Sequence, residues 1–258
     1  MMDTTNCNEP PKLEINGQVA TLRLMRPQLA NRLSADDLHV IQSHIEKVNQ
    51  QSEITVLQVH GTGRYFCSGY DLKSFGKVET PSSLLFGETV DIVEHARPLT
   101  IAAVNGGAFG GGTDLALACD FRIGVPSSSM FMPAAKLGLH FYPGGLARYL
   151  SRLGIDQAKR LFLTAKKIEA DEMLRIGFLT DLVQATDLDK CVDELTRELC
   201  GMAPLASLGI KKHLNLMARG EFRIEEIKQS VLLSESSQDL QEGAAAWREK
   251  RAAHFKGR

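Results

Sequence analysis

A run of glycines near the middle of the chain is the stretch best suited to chemistry. The apolar run 101–104 predicts a buried strand, glycines stand at 106, 107 and 110–112, and residues 113–118 predict a helix. A junction of this kind presents N–H groups that the helix itself cannot pair, at the positive end of the helix dipole. Because glycine has no side chain, an acyl group could approach these N–H groups closely. The junction therefore suits the stabilisation of an oxyanion.

Three other interpretations fit part of the glycine run. A dinucleotide-binding fingerprint needs G-x-G-x-x-G, which the spacing from Gly107 to Gly110 does not reproduce. A P-loop would match the gap between Gly106 and Gly111, but Gly112 stands where the lysine belongs. In the third interpretation the glycines only let a helix pack tightly on a strand, and spacing alone leaves that alternative open.

A second segment, Phe66-Cys67-Ser68-Gly69, follows a predicted strand that begins near Thr55. A nucleophilic serine needs G-x-S-x-G, and the phenylalanine breaks that motif. Cys67 could be a nucleophile, although a buried thiol at a strand end is the commoner case. Ser68-Gly69 can offer a backbone N–H at the carboxyl end of the strand, where ligands bind in parallel α/β sheets. Two N–H groups from adjacent strand ends would form an oxyanion hole.

The remaining pattern predicts the elements that position these segments. Strands and helices alternate to about residue 185, which favours an α/β fold with parallel strands and crossover helices. Beyond Asp187 helical patterns dominate, so we divide the chain into a flexible lead-in at 1–11, an α/β core at 12–186 and a helical assembly region at 187–258. The predicted strands are 13–25, which form a hairpin that turns at Asn16-Gly17, and then 55–59, 98–104, 121–125 and 130–132. The first predicted helix is 34–48, with Ser34 as its N-terminal cap. The other predicted helices are 81–96, 113–118, 188–199, 205–217, 224–233 and 243–255.

Composition and charge exclude several function classes. The formal net charge of -1 gives no basis for binding nucleic acid or an anionic membrane. The five cysteines are scattered without C-x-x-C, and the seven histidines show no helical pairing, so neither a disulfide framework nor a metal site is predicted. The N-terminus lacks the apolar region of a signal peptide, and no apolar run approaches the length of a membrane helix. We therefore expect a cytoplasmic protein.

Four segments, in order, resemble the crotonase superfamily, also called the enoyl-CoA hydratase/isomerase family. The run from Arg26-Pro27 to Ala30-Asn31 is similar to the family's N-R-P-x-x-x-N-A-L, and residues 66–72 are similar to F-x-A-G-A-D-L. Residues 101–120 resemble I-A-A-V-x-G-x-A-x-G-G-G-x-E-L-A-L-A-C-D almost residue for residue, and residues 165–182 resemble a later family segment. The resemblance covers the chain from about Val19 to Phe255.

The resemblance implies a crotonase-like spiral of ββα units with a helical C-terminal trimerisation region, assembled as a homotrimer or a dimer of trimers. It implies an oxyanion hole in which the N–H groups of Ser68 and Gly111 bind a thioester carbonyl. It calls for no cofactor beyond the coenzyme A of an acyl-CoA substrate. The residues that it implies for CoA binding are Arg26, Ala30, Arg32, Cys67, Ser68, Gly69, Tyr70, Asp71 and Leu72, with Phe255 and Lys256 supplied by a neighbouring subunit; for these last two an amphipathic tail is the alternative.

The chain departs from the family's pattern at its acid/base groups. Hydratases of this family use two glutamates; Asp114 stands at the first position and can point back toward Gly111, whereas Ala134 stands at the second. Adding water to a conjugated thioester needs both a base and an acid. His140 or Tyr142 could supply the missing group, the latter at a position where other members carry a catalytic aspartate; the alternative for both is a role in an aromatic wall.

We therefore expect an enzyme that stabilises a thioester enolate, of the enoyl-CoA hydratase or isomerase type found in fatty acid metabolism, with Asp114 moving the proton. A decarboxylase or C–C hydrolase of the same superfamily is one alternative, since loss of CO₂ needs the oxyanion hole but no base. A non-catalytic CoA-binding homologue is the other. The sequence does not indicate which acyl group is bound.

Overall fold

The computed structural model describes residues 8–71 and 82–258, so Leu72 of the predicted CoA-binding set lies outside the described residues. The strands of the described chain are β1 (Lys12–Asn16), β2 (Val19–Leu24), β3 (Val56–Gly61), β4 (Tyr65–Cys67), β5 (Leu99–Val104), β6 (Gly107–Phe109), β7 (Phe121–Gly124), β8 (Ser129–Phe131), β9 (Ile168–Glu169) and β10 (Asp181–Leu182). The helices are α1 (Ala35–Asn49), α2 (Ser82–Glu94), α3 (Gly111–Ala118), α4 (Pro143–Leu153), α5 (Ile155–Thr164), α6 (Ala170–Arg175), α7 (Leu188–Cys200), α8 (Pro204–Ala218), α9 (Ile224–Glu235) and α10 (Gln238–Glu249).

Local signals at the N-terminal end of the chain act as predicted. β1 and β2 pair antiparallel with Asn16 opposite Val19, and Gly17 at the turn has a positive φ of 56°. The side chain of Ser34 accepts a hydrogen bond from the N–H of Asp37, and the Asp37 carboxylate accepts one from the N–H of Ser34. This reciprocal capping box fixes the start of α1.

The strands of the described residues form two sheets. The six-stranded sheet has the order β1-β2-β3-β5-β7-β10, and the four-stranded sheet has the order β4-β6-β8-β9. From β2 to β10 neighbouring strands of the first sheet are parallel, as are β4, β6 and β8 in the second. The chain thus repeats a long strand, a short strand and a helix, as β3-β4-α2, β5-β6-α3 and β7-β8-α4, which is the expected ββα spiral.

The short strands β4 and β6 were not among the predicted strands. Each has three residues, which is too short for a periodic pattern, and β6 begins with a glycine. They pair in parallel, with Cys67 opposite Ala108. Because the carboxyl ends of parallel strands meet at one edge, the segment after Cys67 and the glycines after Phe109 lie next to each other.

Apolar packing covers both faces of the six-stranded sheet. On one face Leu22, Leu57 and Val59 belong to the main core with residues of α1 to α3. On the other face Val56 and Ile101 belong to a second cluster with residues of α7. Every residue of β5 is buried, as its unbroken apolar run predicted.

The C-terminal region is helical, as expected, but its last helix is displaced from the prediction. α10 begins after Ser237, whose side chain accepts a hydrogen bond from the N–H of Leu240, and it ends at Lys250 in the left-handed region. The predicted helix 243–255 is therefore wrong at both ends, because the capping serine and not Gly243 marks the start. None of the helices in the described residues is long and apolar enough to cross a bilayer.

Candidate active site

A cavity of about 760 Å³ opens beside the carboxyl ends of β4, β6 and β8. Its described lining is mostly apolar and aromatic, and it carries a few polar and charged groups near Arg32 and His140. The lining residues are Arg32, Ser68, Tyr70, Asp71, Ser83, Phe86, Phe109, Gly110, Gly111, Phe131, Met132, Pro133, Ala134, Lys136, Leu137, Leu139, His140, Phe141 and Tyr142. An apolar cavity of this size with few convergent polar groups suits a small-molecule ligand.

The N–H of Ser68 does not point into this cavity as an open donor. It donates a hydrogen bond of 2.9 Å to the carbonyl of Ala30. The prediction that Ser68 supplies an oxyanion donor is therefore wrong, because the strand after β4 pairs on that side with the segment around residue 30. Ala30 is not among the described residues that line the cavity. Its carbonyl instead stabilises the segment after β4 by accepting this hydrogen bond.

The next peptide that faces the opposite side is the one between Gly69 and Tyr70. The carbonyl of Gly69 accepts from the N–H of Leu33 at 2.9 Å, and the N–H of Asp71 donates to the carbonyl of Leu33 at 2.9 Å. No peptide bond of the described chain is cis, and the C=O and N–H of a trans peptide point in opposite directions. The N–H of Tyr70 therefore points away from Leu33, toward the side on which Gly111 lies.

Gly111 lies close to this peptide at the first position of α3. A Cβ placed on Gly69 would stand 2.7 Å from the Gly111 nitrogen, so only glycine allows this approach. The N–H of a first helical residue has no partner within its own helix, and no acceptor for it lies among the described residues. The backbone thus brings the Tyr70 and Gly111 amides together at the positive end of α3.

The tight-packing interpretation of the glycines also holds at two positions. A Cβ on Gly112 would lie 2.1 Å from the carbonyl oxygen of Cys67, and one on Gly111 would lie 2.6 Å from the ring of Phe86. Close packing and the exposed amide are therefore consequences of the same glycine run.

Asp114 is buried away from the cavity and engaged in an ion pair. Its side chain is 0% exposed, and Arg148 clamps both of its oxygens at 2.9 Å and 2.6 Å. The hydroxyl of Tyr142 donates a third hydrogen bond to it at 2.6 Å. Asp114 is not among the described residues that line the cavity. In this arrangement its carboxylate fixes Arg148 and Tyr142, and the described geometry does not support the prediction that it moves the substrate's proton.

Tyr142 lines the cavity but directs its hydroxyl hydrogen toward Asp114. Burial, together with the neighbouring carboxylate of Asp114, raises the pKa of Tyr142 well above its ordinary value. Giving up the proton would leave a buried tyrosinate against a carboxylate. Tyr142 is therefore suited to shaping the wall, the alternative that the sequence left open, and poorly suited to donating a proton.

His140 and Ala134 also lie on the wall. The Nδ1 of His140 is 2.8 Å from the carbonyl oxygen of Phe141. A carbonyl only accepts, so Nδ1 carries the hydrogen and directs it to this oxygen. Ala134 is buried and presents only a methyl group to the cavity.

The residues predicted to bind CoA separate into two groups. Arg32, Ser68, Tyr70 and Asp71 line the cavity, and Arg32 pairs with Asp71 at 3.4 Å. Arg26, Ala30, Cys67 and Gly69 are not among the described lining residues, so for them a direct contact from this cavity is not supported.

Arg26 and Cys67 have structural partners instead. Two nitrogens of the Arg26 guanidinium donate to the Asp37 carboxylate at 3.1 Å and 3.0 Å, and its third donates to Asn8. Burial raises the pKa of the Cys67 thiol to about 12, so at neutral pH it is not a nucleophile. Both side chains stabilise the segment that carries Leu33: Arg26 bonds to Asp37, and the Cys67 thiol lies 3.3 Å from the carbonyl of Asn31.

Phe255 and Lys256 line a second cavity of about 890 Å³, beside α8. They share no lining residue with the first cavity in the described part of the chain. Within one subunit they therefore do not reach the candidate site, and a contact made by a neighbouring subunit stays a prediction. No cluster of three or more metal-ligating side chains occurs among the described residues.

Arg148 is the important residue that the sequence analysis missed. It lies on α4, is 1% exposed, and belongs to the buried stripe formed with Gly145, Tyr149 and Leu153. An arginine at helical spacing within a buried stripe requires a buried carboxylate partner, and this signal could have pointed to Asp114.

Similarity to known proteins shows the family of this chain. The family model described as enoyl-CoA hydratase/isomerase matches residues 14–258. A carnitinyl-CoA dehydratase from Proteus mirabilis is 33% identical over 259 residues, covering 95% of this chain and 98% of the relative. A short-chain-enoyl-CoA hydratase from Clostridium acetobutylicum is 30% identical over 254 residues, covering 95% and 97%.

Solved structures show the same fold. The crystal structure of an enoyl-CoA hydratase from Bacillus anthracis superposes with a TM-score of 0.87 at 28% identity, covering 97% of this chain and 100% of that one. An enoyl-CoA hydratase/carnithine racemase from Magnetospirillum magneticum gives a TM-score of 0.90 at 24% identity and 97% coverage of both chains, which supports the fold alone. The chain belongs to the enoyl-CoA hydratase/isomerase family of the crotonase superfamily.

Proposed function

We propose that this chain is an acyl-CoA enzyme that stabilises a thioester enolate between the N–H groups of Tyr70 and Gly111. Donors of this kind lower the barrier most when they are already aimed at the place where charge develops, and removing one from other enzymes slows turnover by roughly 10²–10³-fold. The orientation of the Gly69–Tyr70 peptide and its closeness to Gly111 support this arrangement.

The engagement of Asp114 by Arg148 and Tyr142 supports one class of reaction over the others. Ala134 offers no carboxylate. Asp71 is the only residue of the described lining that carries one, and it is paired with Arg32. A reaction whose enolate forms without an enzymatic carboxylate base therefore fits the described lining best.

Decarboxylation of a 2-carboxyacyl-CoA is such a reaction. The bond between Cα and the carboxylate carbon breaks, its electron pair enters the enolate held by the two amides, and CO₂ leaves. A proton then forms the new Cα–H bond. We propose that His140 delivers it from Nε2, since its Nδ1 hydrogen is held by the Phe141 carbonyl.

Hydration, dehydration or isomerisation of an enoyl-CoA is the second candidate. It is favoured by the relatives, which are named as a carnitinyl-CoA dehydratase and a short-chain-enoyl-CoA hydratase. It would pass through the same enolate, and His140 would have to exchange the proton without help from Asp114.

Mass spectrometry of incubations with methylmalonyl-CoA, crotonyl-CoA and a 3-enoyl-CoA separates these candidates. We expect methylmalonyl-CoA to lose the mass of CO₂ and, in D₂O, to gain one deuterium at Cα. Hydration of crotonyl-CoA with methylmalonyl-CoA unchanged would favour the second candidate. An isomerised 3-enoyl-CoA keeps its mass, so it has to be identified by chromatography.

The oxyanion hole is tested with a matched pair of variants at Gly111. Gly111→Ala adds the Cβ that contacts Phe86 but keeps the N–H, whereas Gly111→Pro adds it and removes the N–H. Proline is tolerated at the first position of a helix. Turnover of the proline variant should fall by roughly 10²-fold below that of the alanine variant, and equal turnover in the two would contradict the proposed hole.

A further inference from the structure

A network of buried and partly buried charges links the cavity wall to the C-terminal region. It consists of three carboxylates and three guanidinium groups, so its charges balance. Its members, called the charge network below, are Asp91, Glu94, Asp114, Arg148, Arg152 and Arg219.

Arg148 stands at the centre of the charge network. It uses Nε and Nη2 for Asp114, while its Nη1 is 2.5 Å from Asp91 and 3.1 Å from Glu94. Although burial opposes it, the Asp114 carboxylate raises the pKa of Arg148 above its ordinary value. One planar guanidinium is therefore held between the Asp114 carboxylate and the two carboxylates on α2.

Arg219, the residue that directly follows α8, completes the charge network from the C-terminal region. Its Nη2 lies 2.8 Å from Asp91, and its Nε donates to Glu94 at 2.9 Å. The neighbouring Asn215 donates to the Glu94 backbone carbonyl at 3.0 Å. Although burial pushes the pKa of Glu94 upward, the arginines Arg148, Arg152 and Arg219 hold it below its ordinary value.

The balance of charge determines where the Arg148 guanidinium rests. Without Arg219, Asp91 and Glu94 lose the charge that neutralises them on the α8 side and attract Arg148 more strongly. To move closer to Asp91 and Glu94, Arg148 has to weaken its hydrogen bonds to the Asp114 carboxylate. The hydroxyl of Tyr142 donates to the same carboxylate. A change at α8 is therefore passed to a residue that lines the cavity.

We propose that Arg219 is a positioning residue for the active-site wall, acting through the charge network to hold the ring and hydroxyl of Tyr142. The kinetic part of this inference rests on the proposed function, whereas the placement of Tyr142 does not. The helical C-terminal region would then set the geometry of the cavity as well as any assembly of subunits.

Carbon-13 NMR of protein labelled at the tyrosine ring carbon Cζ tests the placement directly. The chain has only 4 tyrosines, and Tyr142→Phe identifies the resonance of interest. In Arg219→Gln we expect the Tyr142 resonance to move while that of Tyr65 does not. Arg219→Lys, which keeps the charge, should restore most of its position. Arg223→Gln, which removes an exposed arginine paired only with Glu226 among the described residues, is the control.

Kinetics with the substrate that the mass assay identifies gives the second readout. In Arg219→Gln we expect kcat to fall about tenfold while KM changes much less, because couplings through such networks are of this size.

Three other outcomes are informative. If the Arg219→Gln protein is folded but less stable, and its Tyr142 resonance and kcat are unchanged, Arg219 only stabilises the fold and the proposal is contradicted. If no thioester is turned over, the proposed function fails and the NMR result still decides the placement. If Arg219→Gln does not fold, an Arg219→Lys protein with wild-type resonance and kcat supports the proposal, and one with wild-type stability but a displaced resonance contradicts it.

Discussion

At the scale of single residues, Asp114 shows how a carboxylate at a catalytic position can serve another purpose. It is fully buried, and each of its oxygens accepts from Arg148. Removing one partner of a buried ion pair leaves an uncompensated charge in a medium that solvates it poorly, whereas removing both partners does not. The carboxylate should therefore matter first for folding.

We predict that Asp114→Asn lowers the free energy of unfolding by about 3–5 kcal/mol. Urea denaturation followed by circular dichroism measures this change. The double variant with Asp114→Asn and Arg148→Met should lose less stability than the sum of the two single variants, since the two residues stabilise each other. A single variant as stable as the wild type would mean that Asp114 is not held as a buried ion, and its catalytic role would reopen.

The residue scale also shows what the sequence could not supply. The glycine junction was predictable because an apolar run, a run of glycines and a helical pattern follow one another in the sequence, and Gly111 begins α3 there. The N–H of Ser68 is not free to act as an oxyanion donor, because it donates to the carbonyl of Ala30, which is far away in sequence. The orientation of Asp114 likewise depends on Arg148, 34 residues later. Local patterns predict local conformation, and these two outcomes depend on long-range contacts.

At the scale of elements, the segment between β2 and α1 is held by one side chain, and this segment orients the peptide that we propose as an oxyanion donor. Asn31 is fully buried at a positive φ of 51°, and its amide nitrogen donates to the carbonyls of Thr62, Tyr65 and Phe66 at 2.9, 2.8 and 3.1 Å. It thereby ties the segment that carries Leu33 to the first two residues of β4 and to Thr62 before the strand. Leu33 in turn orients the Gly69–Tyr70 peptide.

We predict that Asn31→Ala costs about 3 kcal/mol or more of stability, because it leaves several buried carbonyls without a donor. It should also lower kcat/KM in the folded protein, since Leu33 would no longer be held against the strand. Asn105→Ala is the matched control: its amide donates one hydrogen bond, to the Gly63 carbonyl, so its loss should be smaller. Equal losses in the two variants, by chemical denaturation, would deny Asn31 this central role.

β3 carries a histidine whose burial makes folding sensitive to acid. Burial, helped by Arg23, lowers the pKa of His60 from its ordinary 6.5 to about 4. Above pH 6.5 neither state binds this proton, so it has no effect on stability there. Below that pH the unfolded chain takes up the proton and the folded chain does not, so stability falls as the pH drops toward 4.

We predict that this histidine removes up to about 3 kcal/mol of stability between these two pH values, from 1.36 kcal/mol per pKa unit. Urea denaturation at a series of pH values measures the slope. In His60→Gln the slope over this range should flatten, whereas the exposed His95→Gln should keep it. An unchanged slope in His60→Gln would assign the acid sensitivity to other groups.

At the scale of the whole molecule, the elements before Asp187 and those after it differ in how they bury their apolar side chains. In the core, the six-stranded sheet carries an apolar cluster on each of its faces. α8 instead exposes Ile210, Leu214 and Met217 at helical spacing, and α9 exposes Leu232. Helical stripes of this kind in a water-soluble protein mark a surface that another chain covers. The trimer or dimer of trimers that the sequence resemblance implied remains our prediction for what covers it.

We predict that placing charge on this surface dissociates the assembly. Leu214 is 60% exposed and Leu232 is 64% exposed, so Leu214→Lys together with Leu232→Lys should leave the fold of one chain intact while charging the surface. Sedimentation velocity should find trimers or hexamers for the wild type and a smaller species for the double variant. Gln229→Lys adds a charge to an exposed polar position of the same helix α9 and should not change the sedimentation coefficient.

If the wild type sediments as a monomer, the exposed stripes do not join copies of this chain. Phe255 and Lys256 then cannot reach the CoA of a neighbouring subunit. If the double variant keeps the wild-type assembly, the subunits meet elsewhere, and the exposed chains of α5, where Leu163 is 74% exposed, become the next surface to charge.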